Sequence, residues 1–533
     1  MSAENGFVET ETVGGRLRGI RFRGVESYLG VPYGDSTEGQ GRFAAPRRAA
    51  SWAGVREALA FGDAPPQVDT RLGSRAAAQD VHELMYVKGG HPLDGTRMSE
   101  DCLNLNVWTP SRDGRRPVMV WLHGGGFQHG SAGSALYNGD HLAALGDVVV
   151  VTVNARLGIT GFLPLDLVDD DHFEGAGNAG MLDLVLALEW VRDNVSAVGG
   201  DPGNVTVFGQ SGGGGKVNAL LAMPAARGLF HRAINMSGPM LEFTEPEDAE
   251  RMLAAALDRA SIDRAHPERL RETPLRDLLA VQASLGPALG GGFGMTEPAG
   301  GPKREAHSAL PLDASLPMWG PLCDGRVLPA HPFPADGPAN TANVPMLVGW
   351  TTHDPALLMA GSAEFAGLTA DRARRLARAN FGDEGADAFD AATVQHASEP
   401  ARLRYARVVC GRTFGAAARE MVTAKVRQSA PVYCYEFAHP TDVLDGLLGA
   451  CHSLDLPFAF ANVDRSVFAG EAPSRHETSR SMALAWAAFA RHGDPNHGGI
   501  PEWTAYREGD RRVMRIDASW EEYRLGEIEP AAA

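Results

Sequence analysis

Cysteine is scarce in this chain of 533 residues. The sequence has five, an odd number: Cys102, Cys323, Cys410, Cys434 and Cys451. They form no CxxC pair and no Cys/His cluster at the spacing of zinc ligands. The sequence therefore indicates neither a disulfide framework nor a metal site, and we expect the protein to need no metal.

An excess of basic residues is also lacking. The 66 acidic residues outnumber the 49 basic ones and give a formal net charge of −17. Such a chain has no basic stripe with which to neutralise the phosphates of nucleic acid or of an anionic membrane. We therefore expect neither nucleic acid nor membrane as a partner.

Long apolar runs are missing as well. The most apolar stretch, residues 142–162, is interrupted by Asp147, Asn154 and Arg156, so it does not predict a membrane span. The first fifteen residues lack the basic start and apolar centre of a signal peptide. These features predict a cytoplasmic protein.

Short apolar, β-branched runs alternate with stretches of helical periodicity. Strands are predicted at residues 118–122, 148–153, 205–208, 234–236, 345–348 and 432–435. Amphipathic helices are predicted at residues 181–194 and 479–491. This alternation is typical of an α/β fold, in which helices cover both faces of a mostly parallel central sheet.

Two stretches are predicted to be long loops. Residues 285–309 are rich in glycine and proline, and residues 68–98 show no regular periodicity. No internal repeat is visible, so residues 1–533 are interpreted as one large domain with a mobile insertion around residues 285–309.

The chemistry concentrates at residues 209–213, Gly-Gln-Ser-Gly-Gly. This G-x-S-x-G pattern directly follows the predicted strand VTVF, and a helix is predicted soon after it, at residues 214–221. Strand, tight turn and helix together form a nucleophile elbow, which exposes the serine hydroxyl above the sheet. The phosphate-binding alternative, G-x-x-x-x-G-K-[ST], fails at Gln210 and Val217. Ser211 is therefore the candidate nucleophile, although the bare pattern also arises in structural glycine-rich turns.

A second glycine-rich turn supports acyl transfer. The strand predicted at residues 118–122 runs into His-Gly-Gly-Gly-Phe at residues 123–127. A turn of this type brings backbone N–H groups close to a developing oxyanion. A serine hydroxyl also needs a base and an orienting acid, which follow it along the chain in this kind of fold. Seventeen histidines are available, so position alone does not identify the base.

The sequence resembles the type-B carboxylesterases, the family of para-nitrobenzyl esterases, animal carboxylesterases and cholinesterases. The resemblance covers nearly the whole chain. It is carried by YLGVPYG at residues 28–34, SEDCLNLNV at 99–107, VNARLG at 153–158, GNAGMLD at 177–183, GGDP at 199–202, YCYEF at 433–437 and WAAFA at 486–490.

The resemblance implies an α/β-hydrolase fold with long insertions, and ester hydrolysis without a cofactor. The family's base motif matches His-Ser-Leu-Asp-Leu at residues 452–456, which makes His452 the general base. Asp354 stands at the family's acid position, five residues after Gly349. By analogy, the oxyanion donors are the N–H groups of Gly125, Gly126 and Gly212.

The chain departs from the family pattern at several positions. Asp354 replaces the usual glutamate and is one bond shorter, so either its backbone lies closer to His452 or another acid, Asp324 or Asp455, assists. Gly212 replaces an alanine, and Gln210 replaces an acidic residue. Cys102 lacks its typical disulfide partner and is predicted to be a free, buried thiol.

The substrate is predicted to be a small-molecule ester, with pocket walls from Phe127, Gln210, Trp350 and Phe458. Hydrolysis of a carbamate, an amide or a specialised natural-product ester on the same triad remains an alternative, because pocket shape decides between these substrates. A non-catalytic, cholinesterase-like binding protein is the remote alternative.

Overall fold

The central feature of the computed structural model is one mixed sheet that runs through the molecule. The structure describes residues 5–68, 97–285, 295 and 319–525. Within them the strands are β1 Gly6–Thr12, β2 Gly15–Phe22, β3 Val25–Pro32, β4 Val55–Glu57, β5 Asn104–Thr109, β6 Arg116–Leu122, β7 Val149–Val153, β8 Gly200–Gln210, β9 Arg232–Met236, β10 Met346–Thr351, β11 Val432–Phe437, β12 Arg512–Ile516 and β13 Glu521–Arg524.

The sheet is parallel at its centre and antiparallel at its ends. Its strand order is β1-β2-β3-β5-β7-β6-β8-β9-β10-β11-β12-β13, and β4 pairs with β2. All neighbours from β7 to β12 in this order are parallel. The carboxyl ends of these strands therefore lie along one edge of the sheet, where ligands commonly bind in such folds.

Helices connect the strands and cover the sheet. The α-helices are α1 Asp140–Gly146, α2 Gly158–Phe162, α3 Asp170–Phe173, α4 Ala179–Asn194, α5 Gly212–Ala222, α6 Pro246–Ala260, α7 Leu275–Leu285, α8 Ala356–Met359, α9 Ala370–Gln395, α10 Ala401–Arg412, α11 Phe414–Lys425, α12 Val443–Gly446, α13 Asp455–Ala459 and α14 Arg475–His492. Helix α9 is kinked at Gly382, whose backbone is not helical.

The core has two layers because successive side chains of a buried strand point to opposite faces. On β6, Val118 and Val120 join one hydrophobic cluster, which includes the inner face of α4. Met119 and Trp121 join a second, which includes the inner face of α14. The near-continuous apolar strands of the sequence are thus explained by burial on both faces.

Each predicted strand and helix is found, and most extend further than predicted. The strand predicted at residues 205–208 spans Gly200–Gln210, and the helix predicted at 214–221 begins at Gly212. The strands β1 to β5, β12 and β13 were not among the predictions. The long loop predicted at 285–309 lies outside the described residues except for Leu285 and Met295, and that at 68–98 except for its ends. Among the residues that are described, no helix is both long and apolar enough to cross a membrane.

Candidate active site

Ser211 occupies a strained turn between β8 and α5. Its backbone has φ 57° and ψ −124°, a conformation that L-residues rarely adopt. Two backbone hydrogen bonds hold the turn: Ser211 N–H donates to Met236 O on β9 (2.9 Å), and Gly215 N–H donates to Ser211 O (3.0 Å). The predicted strand–turn–helix context is therefore present around this serine.

The glycine after Ser211 permits a close backbone approach. A Cβ atom at position 212 would lie 2.5 Å from the backbone nitrogen of Gly126, closer than any real Cβ contact. The glycine-rich loop after β6 therefore packs directly on the first turn of α5. Within the described part of the chain, the N–H groups of Gly126 and Gly212 donate no hydrogen bond.

The loop after β6 turns sharply at its glycines. Gly125 has φ 99° and Gly126 has φ 60°, and the carbonyl of Gly125 accepts from the N–H groups of Gln128 and His129, both at 3.0 Å. Glycine adopts positive φ angles readily because it has no Cβ atom. The structure thus brings Gly125, Gly126 and Gly212 to one place beside Ser211.

Asp354 and His452 form a hydrogen-bonded pair. The Nδ1 atom of His452 donates to Oδ1 of Asp354, whose side chain is fully buried. The other carboxylate oxygen, Oδ2, accepts from Ser237 Oγ at 2.7 Å and from Thr351 N–H at 3.0 Å. These two donors hold the carboxylate in place. Its bond to Nδ1 keeps the proton of a neutral His452 on that nitrogen, so Nε2 has a free lone pair and can act as a base.

The short side chain of Asp354 is matched by a close backbone. The residues before the pair, His353 and Cys451, form a parallel β-bridge, and His452 N–H donates to Asp354 O at 3.2 Å. This bridge extends β10 towards the histidine-bearing loop. It brings the two main chains together beside the Asp354–His452 pair.

The two alternative acids have hydrogen-bond donors other than His452. Asp324 accepts from the N–H groups of Arg326 (2.8 Å) and Leu328 (3.0 Å), and from the side chain of Asn178. Asp455 accepts from the Tyr435 hydroxyl at 3.2 Å. Burial and the neighbouring charge of Asp354 raise the pKa of Asp455 to about 7.

Two residues near the pair were missed by the sequence reasoning. Ser237, in the left-handed region at φ 46°, binds Asp354, and Phe414 packs against the His452 ring with centroids 5.1 Å apart. Ser237 directly follows β9, so its place at the carboxyl edge of the sheet was the available signal. Nothing in the local sequence of Phe414 indicates this contact.

The candidate pocket residues are all buried. Phe127 is 2% exposed and packs edge-on against Phe162 and Phe243, with ring centroids 5.5 and 6.0 Å apart. Trp350 is a buried side chain of β10. Phe458 is fully buried against Phe437 (5.0 Å between centroids) in the hydrophobic cluster of α14. Phe458 therefore has the contacts of a core residue.

A buried lysine contacts the start of the glycine-rich loop after β6. Lys216 on α5 is 2% exposed, and its Nζ donates to the carbonyl of His123 at 3.0 Å. Burial lowers the pKa of Lys216 to about 7 and holds the pKa of His123 well below its usual range. The bond ties the first turns of α5 to the residue that precedes the three glycines.

A separate group with potential metal ligands lies in the described part of the chain: Glu245, Cys323 and His331. The imidazole of His331 lies between the other two, with Nδ1 3.1 Å from Cys323 Sγ and Nε2 2.8 Å from Glu245 Oε1. Because the thiol and the carboxylate approach opposite ring nitrogens, the three groups form a hydrogen-bonded chain rather than a ligand set around one ion.

Known relatives match the chain over almost its whole length. Residues 4–528 match the Carboxylesterase family. The chain is 33% identical to a phenmedipham hydrolase of Pseudarthrobacter oxydans over 515 residues, which cover 95% of this chain and 94% of that protein. It is 33% identical to a para-nitrobenzyl esterase of Bacillus subtilis over 511 residues, with the same two shares.

A solved structure agrees with the sequence relatives. The crystal structure of a carboxylesterase of Geobacillus stearothermophilus aligns with a TM-score of 0.76 at 34% identity and covers 97% of each chain. The predicted α/β-hydrolase fold and the resemblance to type-B carboxylesterases are thereby confirmed. The chain belongs to the carboxylesterase family and is a serine hydrolase that cleaves carboxylic esters.

Proposed function

We propose that Ser211, His452 and Asp354 are the catalytic triad of this esterase. The observation that carries the proposal is the buried Asp354 carboxylate, which accepts from His452 Nδ1 while Ser237 and Thr351 occupy its other oxygen. An acid held in this way orients the imidazole and stabilises the imidazolium that forms during the reaction.

The reaction has two steps on this triad. Ser211 Oγ attacks the ester carbonyl carbon while His452 Nε2 takes the hydroxyl proton, and the tetrahedral oxyanion accepts from the N–H groups of Gly125, Gly126 and Gly212. His452 then gives the proton to the departing alcohol, which leaves an acyl-enzyme. A water molecule, deprotonated by the same base, attacks the acyl carbonyl and releases the acid.

The location proposed for the enzyme is the cytoplasm. Its five cysteines are free, and four of them, including Cys102, are buried. Unpaired cysteines fit a reducing compartment. Thiol titration of the freshly isolated, unfolded protein is expected to count five thiols; a count of three or fewer would contradict this location.

The test uses p-nitrophenyl acetate, butyrate and octanoate, with wild type and Ser211→Ala assayed side by side. We expect turnover of at least one ester, and a fall of about 10⁶-fold in kcat for the variant. A p-nitrobenzyl ester, phenmedipham and a p-nitrophenyl carbamate extend the panel, because two relatives carry the first two compounds in their names. Folded Ser211→Ala with wild-type activity would contradict the proposed nucleophile.

The panel also separates the alternatives. Turnover of the carbamate alone would favour the carbamate hydrolase, and turnover of a matched p-nitroanilide would favour an amidase. A folded wild type that turns over no substrate and leaves Ser211 unreactive towards an organophosphate would favour a non-catalytic binding protein.

A further inference from the structure

Gln210 touches the general base directly. It is the last residue of β8, it precedes Ser211, and its side chain is 2% exposed. Its amide nitrogen lies 3.1 Å from Nε2 and 3.4 Å from Nδ1 of His452. Its amide oxygen accepts from Ser453 Oγ at 3.1 Å. The amide therefore connects the nucleophile strand to the loop that carries the base.

The two distances show how the amide meets the ring. The two nitrogens of an imidazole point in different directions, so a donor in line with the in-plane lone pair of Nε2 would be much farther from Nδ1. Nearly equal distances place the Gln210 amide against the face of the His452 ring. The in-plane position at Nδ1 belongs to Asp354, and the Gln210 amide does not occupy the in-plane position at Nε2.

From this geometry we infer that Gln210 is a positioning residue that holds the His452 imidazole at its working angle. The inference rests on the proposed triad. The bond from Ser453 fixes the amide oxygen and so directs the amide nitrogen to the ring. An amide against one face, with Phe414 also in contact with the ring, restricts rotation of His452 about its Cβ–Cγ bond.

The charge of the side chain at position 210 matters as much as its shape. The N–H groups of an amide carry partial positive charge, which is repelled by an imidazolium and attracted by the electrons of a neutral ring. A carboxylate at the same place, as at the equivalent position of most type-B carboxylesterases, would favour the imidazolium. A carboxylate introduced at position 210 should therefore reveal its contact with the base as a shift of the pH profile.

Other groups besides Gln210 surround His452. The carboxyl groups that face it are Asp354, from the loop after β10, and Asp455, from its own segment. The thiol of Cys451 is the adjacent titratable group, and Phe414 from α11 is uncharged. Because none of these groups changes when position 210 is substituted, a change in the pH profile reports on residue 210 itself.

The test compares Gln210→Glu, Gln210→Met and Ser453→Ala with wild type through pH profiles of kcat/KM. The midpoint of the acid limb is expected to rise by about one pH unit in Gln210→Glu, because a carboxylate faces the base. Gln210→Met keeps the length but loses the amide, so kcat should fall about tenfold with little change in KM. Ser453→Ala, which removes only the anchor, should lower kcat in the same direction by a smaller factor.

Two results overturn the inference: an unmoved acid limb in folded Gln210→Glu, or wild-type kcat in both Gln210→Met and Ser453→Ala. Should Gln210→Met fail to fold, Ser453→Ala and Gln210→Glu still decide the question. Labelling of Ser211 by diethyl p-nitrophenyl phosphate in wild type distinguishes failure of the Gln210 inference from failure of the proposed triad. Label without altered profiles would remove only the role of Gln210, whereas absence of label on Ser211 would remove the proposed triad as well.

Discussion

The hydroxyl of Ser237 donates to Oδ2 of Asp354 at 2.7 Å, and both side chains are buried. The serine stabilises the carboxylate at the oxygen that does not bind His452, and the Thr351 N–H group donates to the same oxygen. Ser237 thus positions the acid of the proposed triad and has no proposed contact with the substrate.

Ser237→Ala should lower kcat/KM about tenfold, because a hydrogen bond to a buried charge contributes roughly 1.5–3 kcal/mol and only part of it reaches the transition state. Steady-state kinetics on p-nitrophenyl butyrate measure the effect. Ser479→Ala is the matched control: Ser479 is equally buried, and its hydroxyl donates to Phe458 O instead. Equal losses in the two variants would show that Ser237 acts only through stability.

Asp354→Asn should lower kcat by roughly 10⁴-fold, since an amide cannot stabilise the imidazolium and favours the wrong tautomer of His452. Circular dichroism and melting temperature check that the variant is folded. A folded Asp354→Asn with kcat within tenfold of wild type would transfer the role of acid to another carboxylate, with Asp455 the first to examine.

Asp354→Glu tests whether the backbone spacing at the Asp354–His452 pair suits aspartate. The β-bridge between His353 and Cys451 sets a spacing that suits aspartate, so one additional bond should displace the carboxylate or the imidazole. A displacement of about 1 Å can cost on the order of 10² in rate, and we expect a loss of that size in kcat. Full activity of Asp354→Glu would mean that the loop adapts freely to either acid.

Lys216→Met should stabilise the protein in a pH-dependent way. The pKa of Lys216 is about 7 in the folded protein and 10.5 as its ordinary value, so folding disfavours the charged form. The penalty is complete below pH 7, shrinks as pH rises and vanishes above about pH 10.5. We expect a gain of about 2–4 kcal/mol at pH 6, after allowance for the lost bond to His123 O, and little or none at pH 10.

Urea unfolding of wild type and Lys216→Met at these two pH values measures the difference. Lys425→Met is the control, because Lys425 is also buried but donates to both Thr341 O and Gln428 Oε1 at 2.7 Å. Lys425→Met should therefore raise the free energy of unfolding less than Lys216→Met does, or lower it. A Lys216→Met variant that is less stable than wild type by the same amount at both pH values would contradict a burial penalty on the charged form of Lys216.

Much of the fold could be predicted from local patterns. Strands such as β6 and β7 are buried on both faces, so their continuous apolar runs indicate strands clearly. The G-x-S-x-G pattern in turn predicts a strand before it and a helix after it. The strands β1 to β3 escaped prediction because they are partly exposed and antiparallel, with mixed polar and apolar side chains. Their pairing is decided by tertiary contacts.

The candidate site could be predicted only where a short sequence motif contains the residue concerned. The chain order and the resemblance suggested His452 and Asp354, but nothing in the sequence shows that the backbones at 353 and 451 pair. Ser237 and Phe414 reach the pair from β9 and from α11, and Phe458 packs into the core although its position follows the histidine motif. Such contacts join distant segments and are set by packing.

The central claim is that Ser211 is the nucleophile, and covalent labelling tests it most directly. Wild type treated with diethyl p-nitrophenyl phosphate should release one equivalent of p-nitrophenol and gain one diethylphosphoryl group, located by peptide mass spectrometry on the peptide containing Ser211. Folded Ser211→Ala should gain none. A label on another residue, or equal labelling of the variant, would contradict the account.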